Sequence, residues 1–247
     1  MPAPPPRFSL VIPAFNERRL LPRLLDSVDA ARAAYSRGAE AVEVIVADNA
    51  STDGTAELAT RRGCRVAQVE RRCIAAARNG GARIARSEVL GFVDADSCIH
   101  LATFDAIDRA LATGRAVGGA TGVTLERWSL GIALTYAAMM PMVWLTGMDT
   151  GVVFCRREDF EVVGGYDESR RVAEDVAFLL ALRRLGRRRG QRLVRVRSAK
   201  AVASTRKFDD HGDWHFFSTM LALPAMMLVR PRRAEATIER YWYPPDR

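Results

Sequence analysis

Along the first hundred residues, short unbroken apolar runs alternate with stretches in which apolar residues recur at helical spacing. Residues 8–13 (FSLVIP) form the first run. Leu20, Leu21, Leu24, Leu25 and Val28 then repeat every three to four positions, the spacing of a helix with one buried face. Three more runs follow, at 42–47, 65–69 and 89–93, separated by helical stretches at 56–61 and 74–85. Strands that are continuously apolar, rather than alternating, are covered on both faces. The βα alternation with short connections predicts an α/β fold whose mostly parallel central sheet is flanked by helices.

That topology says where to look for chemistry. Ligands of such sheets bind beyond the carboxyl ends of the strands. Three polar clusters stand there, each directly after an apolar run: Asn16-Glu17, Asp48-Asn49 and Asp94-Ala95-Asp96. The pattern thus directs three strand ends into one crevice.

The second half is less regular. A helix is expected over 101–111, strands over 116–125 and 151–155, a turn at Gly164-Gly165-Tyr166-Asp167 and a helix over 173–185. Residues 129–148 carry no charge over 20 positions, near the length of a membrane span. Pro141, Thr135, Tyr136, Thr146 and the glycines dilute this stretch, which therefore reads as a buried or interfacial segment. No repeat or linker divides the chain. The expectation is one domain over 1–247, with a first half at 8–100 that carries the three strand-end clusters and a second half at 101–247.

Charge favours anionic partners: the net charge is +8, which suits phosphorylated metabolites, acidic headgroups or nucleic acid. The run 183–197 (RRLGRRRGQRLVRVR) has no interleaved aromatic residue and matches no nucleic-acid motif. It reads as a solvated face that suits an anionic membrane, and no nucleic-acid partner is expected. Cys64, Cys73, Cys98 and Cys155 show no CxxC spacing, which points to reduced thiols in a cytoplasmic setting. The N-terminus lacks a signal-peptide core. The expected location is the cytoplasm, with a peripheral contact at the inner face of the membrane.

Each motif has a plain and a chemical reading. Asp94 and Asp96 suit Mg²⁺ or Mn²⁺, hard cations that take one or two carboxylates plus substrate phosphates; aspartates also cap helices after turns. Asp48 and Asn49 suit a nucleobase edge, whereas Asp53-Gly54 in the same loop is turn chemistry. Arg78 presents a fork of donors that fits a diphosphate, and its plain reading is a solvated arginine. Gly80 and Gly81, inside a helix, lower its stability by roughly 1 kcal/mol each, which close approach to a ligand or another backbone offsets. Glu174 and Asp175 open a helix, where the dipole favours acids; the chemical reading is a general base. His211 reads as an ordinary polar contact before a metal ligand.

In order, VIPAFNE (11–17), VADNASTDGT (46–55), ARNGGA (77–82), FVDAD (92–96), GGYDE (164–168) and AED (173–175) resemble the family 2 glycosyltransferases of the GT-A fold. The resemblance covers residues 8–186 and implies a Rossmann-like nucleotide-binding half. By that resemblance Pro13, Ala14, Phe15 and Glu17 line the nucleotide pocket, Asp48 and Asn49 face the base, and Arg78 faces the diphosphate. Asp94 sits near ribose and metal, Asp96 binds the metal, and Asp175 is the catalytic base of an inverting displacement. The implied substrates are a nucleoside-diphosphate sugar and a hydroxyl acceptor.

The chain departs from the family pattern at Asn49, where many members carry a second aspartate. The QxxRW motif of processive synthases is absent, so transfer of one sugar or a few is expected. Placement of 129–148 before Glu174-Asp175 suggests an acceptor with an apolar part, lipid-linked or a hydrophobic aglycone. Two alternatives stay open. A nucleotidyltransferase would carry a glycine-rich loop at the first strand. A non-catalytic nucleotide-sugar-binding or assembly protein would have no need of Asp94, Asp96 and Asp175.

Overall fold

The computed structural model describes residues 4–146, 150–170 and 173–214. They fall into two compact units, one formed by Met1–Thr124 with Gly147–Ala203 and the other by Leu125–Thr146 with Ser204–Arg247.

The first unit is built on a seven-stranded sheet in the order β3-β2-β1-β4-β6-β5-β7. Its strands are β1 (Phe8–Ala14), β2 (Val42–Asp48), β3 (Arg65–Gln68), β4 (Val89–Phe92), β5 (Ala116–Leu125), β6 (Val153–Arg156) and β7 (Arg192–Ala203). β1 pairs in parallel with both β2 and β4, and β2 in parallel with β3. β6 runs antiparallel to β4 and to β5. The α/β architecture and its mostly parallel sheet are therefore as the apolar pattern predicts.

Six helices belong to this unit: α1 (Leu21–Ala34), α2 (Thr55–Arg61), α3 (Ile74–Ile84), α4 (Thr103–Ala112), α6 (Arg157–Val163) and α7 (Glu174–Arg188). All seven residues of β1 and of β2 are buried, because helices cover both faces. Side chains alternate between two cores. Leu10, Ile12, Val44 and Val46 pack with α1 and α4 residues such as Leu24 and Phe104. Val11, Ile45 and Ala47 point the other way, into a core with Ala77 of α3 and Phe178 and Leu182 of α7.

The two glycines of α3 are explained by that second core. A Cβ on Gly81 would lie 2.4 Å from Val11 Cγ1, and one on Gly80 would lie 2.4 Å from Val69 Cγ2. The close approach is to the side chains of Val11 in β1 and Val69 just past β3, rather than to a ligand or another backbone. Two elements escape the apolar pattern. α6 is only 7 residues long, and β7 is an edge strand whose exposed cations mask its buried Val196, Ala199 and Ala201.

In the second unit, α5 (Leu130–Thr146) buries Ile132 and Thr135 while leaving Leu130 and Leu134 exposed. Arg127 reaches α8 (Arg206–His211) and the turn after it, placing Nη2 2.5 Å from Asp209 Oδ1 and 2.6 Å from Asp213 Oδ1. Trp128 meets Tyr136 edge-on at 5.2 Å between ring centroids. Among the described residues, no helix is long and apolar enough to cross a membrane. Positions 147–148 of the uncharged stretch lie outside the described residues.

Candidate active site

The loops after β1 and β2 are stitched together at the carboxyl end of the sheet. Asn16, in the left-handed region at φ 52, receives the Thr52 N–H on its Oδ1 at 2.8 Å and donates its own N–H to Ser51 Oγ at 3.0 Å. The Glu17 N–H donates to Thr55 Oγ1 at 3.0 Å. Asp53 accepts the Thr55 N–H at the start of α2, which is the turn role read for it. Pro13 and Ala14 are buried within β1, Ala14 beside Asp48 in the register. The Ala14 carbonyl accepts the Asn49 N–H at 2.8 Å. Glu17 is buried, and its carbonyl accepts the Leu20 and Leu21 N–H groups that open α1. Phe15 is half-buried, with the Arg72 guanidinium stacked on its ring at 3.8 Å.

Asp48 and Asn49 are neighbours put to different uses. The Asn49 amide is consumed by backbone: Nδ2 donates to Val69 O at 3.0 Å and Arg71 O at 2.6 Å, and Oδ1 accepts the Cys73 N–H at 3.0 Å. It clamps the β3–α3 loop against β2. Asp48 is equally buried, but its Oδ1 has no hydrogen-bond partner. A buried acceptor without a donor is costly, by about 1–3 kcal/mol, and a bound N–H group would satisfy it.

Arg78 is the centre of the site. Gly80 and Gly81 let α3 sit close on the sheet, which carries Arg78 into a buried position under the β4 end. Its side chain is only 4% exposed. Nη2 donates to Asp94 Oδ1 at 2.9 Å, and Nη1 donates to Glu174 Oε1 at 2.7 Å. Nη1 also lies 2.7 Å from Asp175 Oδ1, although that oxygen lacks a donor in line with it. The Tyr166 ring, stacked on Phe178, lies 5.1 Å from the guanidinium carbon. Arg78 is thus buried rather than solvated, and its terminal nitrogens serve three carboxylates.

The charges bear this out. Burial alone would lower the Arg78 pKa, but Asp175, Asp94 and Glu174 outweigh it and hold the group well above its usual value. Asp175 moves oppositely. Burial pushes its pKa up to about 7, Arg78 pulls against that, and the nearby charges of Asp94 and Glu174 reinforce it. A carboxyl titrating near neutrality is matched to proton transfer at neutral pH. Just before it, Ala173 is held at φ 59 and ψ 27, a left-handed conformation rare for residues other than glycine.

The donor set at the β4 end fits a divalent cation. Asp94 is half exposed at the side chain and keeps Oδ2 free of Arg78, and Asp96 is half-buried two residues on. Among the described residues no three metal-ligating groups cluster. Two hard carboxylates suit a cation that completes its shell with water and substrate phosphate. His211 stands in the second unit, exposed on α8, its Nδ1 3.2 Å from the Lys207 carbonyl.

Several positioning groups sit inside motifs whose other letters drew attention. Asn79 holds the GGYDE turn, donating to Tyr166 O and Glu168 Oε1 at 2.9 Å each and accepting the Tyr166 N–H at 2.9 Å. Arg71 grips Glu168 through Oε2 at 3.1 Å and its carbonyl at 3.0 Å. Their partners are nearly a hundred residues away, so spacing gives no signal for them.

Comparisons with known proteins bear on the family and the fold. The profile of glycosyl transferase family 2 matches residues 9–129. No curated protein sequence matches the chain. Among solved structures, TarS of S. aureus is 19% identical with a TM-score of 0.58, covering 84% of this chain and 38% of its own. The TarS 1–349 fragment in complex with UDP-GlcNAc is 18% identical with a TM-score of 0.62, covering 81% of this chain and 59% of the fragment. The mannosyltransferase PcManGT from Pyrobaculum calidifontis, in complex with GDP-Man and Mn²⁺, is 18% identical with a TM-score of 0.64. That match covers 96% of this chain and 85% of PcManGT. At these identities the likeness is one of fold, and the chain spans well under two thirds of the TarS length.

Proposed function

We propose that this chain, a member of glycosyl transferase family 2 through residues 9–129, moves a sugar from a nucleoside diphosphate to an acceptor hydroxyl with inversion. The observation that carries this reading is the Arg78 bridge. One buried guanidinium ties Asp94, on the donor side, to Asp175, whose pKa of about 7 suits a base.

The geometry supports the following assignment of roles. Asp48 Oδ1 takes an N–H of the nucleobase, with Phe15, Pro13, Ala14 and Glu17 lining the pocket and Asn49 holding its rim. Asp94 and Asp96 hold Mg²⁺ or Mn²⁺ together with the donor diphosphate. When bound, such a cation supplies positive charge to the departing diphosphate. Asp175 accepts the acceptor's proton as its oxygen attacks from the face opposite the leaving group. Arg78 positions that base and Asp94, in place of the diphosphate contact the resemblance implies. The Asp94, Asp96 and Asp175 set favours a transferase over a non-catalytic binding protein.

The acceptor is proposed to carry an apolar part, because the uncharged residues 129–148 lie in sequence between the donor motifs and Glu174-Asp175. The mannosyltransferase and TarS complexes hold GDP-Man and UDP-GlcNAc, which makes a hexosyl donor on uridine or guanosine diphosphate the first to test. Calorimetry with a panel of nucleoside diphosphates, with and without Mn²⁺, is the experiment. One base should bind at least about tenfold tighter than the others, and only with Mn²⁺. Equal, metal-independent binding of the whole panel would remove the proposal.

A further inference from the structure

The arginine-rich stretch folds into the end of α7 and the edge strand β7, and so becomes a row on one unit. Arg184, Arg187, Arg188, Arg192, Arg197 and Lys200 are all exposed. Among the described residues none of the six makes an ion pair, whereas Arg189 beside them is held by Asp159 at 2.5 Å. Two ordinary causes explain parts of the row. Cations suit a helix C-terminus, and charges on an edge strand block strand-to-strand aggregation. Each needs one or two residues. Six exposed cations outside ion pairs exceed both and project a positive potential along this edge of the sheet.

The row has a direction. At its start the Arg192 N–H pairs with Arg115 O at 2.9 Å. At its far end Val202 and Cys98 exchange backbone hydrogen bonds of 2.9 and 2.8 Å, two residues past Asp96. From Arg192 to Lys200 an extended strand covers roughly 26 Å. The row therefore leads to the rim of the candidate crevice.

We propose that this edge is a docking surface for an anionic lipid membrane. Straight, exposed rows of arginine fit a flat sheet of headgroup charge. Residues 183–200 contain no aromatic side chain, so the row offers no stacking platform for unpaired bases. Taken by itself, the second unit exposes Trp128 at 52%, Leu130 at 70% and Leu134 at 42%, side chains of the kind that enter a lipid interface. The inference does not rest on the transferase reading, because its readout is binding without turnover.

The test is co-sedimentation of the full chain with vesicles of phosphatidylcholine alone or with about a third phosphatidylglycerol, at low and high salt. A triple charge reversal, Arg187→Glu with Arg188→Glu and Arg192→Glu, is run beside the wild type. Far-ultraviolet circular dichroism and a cooperative thermal melt of the triple variant report that it is folded. The wild type should pellet with the anionic vesicles only and be released by salt, and the variant should bind at least about tenfold more weakly. A milder Arg187→Gln, Arg188→Gln pair should fall between them, and decides the matter if the triple variant does not fold. Equal pelleting with neutral vesicles, or binding unchanged in the folded charge variants, would overturn the proposal. So would a duplex oligonucleotide that binds the row while anionic vesicles do not.

Discussion

A buried and a partly buried carboxylate at opposite ends of the same sheet show how one fold holds charge in two ways. Glu43, low in β2, takes hydrogen bonds from Ser9 Oγ at 2.5 Å, the Arg86 N–H at 2.5 Å, Arg65 Nη1 at 2.9 Å and Arg86 Nε at 3.1 Å. Burial works to raise its pKa, yet those donors together hold it below the usual value. Asp175, at the carboxyl end, has a cation beside it but no aligned donor, and burial leaves it near 7. Satisfied donors make a structural anchor. Incomplete satisfaction, sharing one guanidinium among three acids, leaves a group ready to take a proton.

Five substitutions sharpen this contrast. Asp175→Asn should give the largest effect, lowering turnover by about 10² to 10⁴ while calorimetry finds nucleotide binding nearly unchanged. It carries a stability signature too. Because the folded pKa is raised, the native state holds this proton between about pH 4 and 7 after the unfolded chain has lost it. Wild-type stability therefore falls relative to Asp175→Asn as pH rises through that window, which denaturant titrations across the range will measure.

Glu43→Ala should do the reverse. It strands the Ser9 and arginine donors and should lower unfolding free energy by about 3 kcal/mol, with the catalytic constants of the folded fraction intact. Its lowered pKa makes this contribution fully present above the usual carboxylate range and lost as pH drops below it. A smaller contrast lies within one dipeptide. Asn49→Ala removes three hydrogen bonds to backbone and should destabilise by about 2 kcal/mol, read by thermal melting. Asp48→Ala removes the unpaired oxygen and should not lower the melting temperature, while weakening nucleotide binding by about tenfold. The smallest change is Ala173→Gly, which relieves a left-handed alanine and should stabilise by about 1 kcal/mol.

The first half of the sheet was legible because its signal is local. Each unbroken apolar run became a strand, and each polar cluster after a run stands at the carboxyl end. What escaped depends on contacts made far along the chain. Asp48 and Asn49 look interchangeable until the Val69–Cys73 loop folds back and consumes the amide. Arg78 looks like a solvated or phosphate-binding arginine until α7 arrives, 96 residues later, with Glu174. β7 is hidden because an edge strand wears its charges outward, breaking the apolar run that marks a central strand.

The pH dependence of single-turnover transfer tests the central claim most directly, with donor and Mn²⁺ saturating and acceptor limiting. If Asp175, poised by burial against Arg78, is the base, the rate rises through a single ionisation near pH 7 in the wild type. That limb disappears with the residual activity of Asp175→Asn. A wild-type profile flat from about pH 5 to 8, or the same limb persisting in Asp175→Asn, would contradict the account.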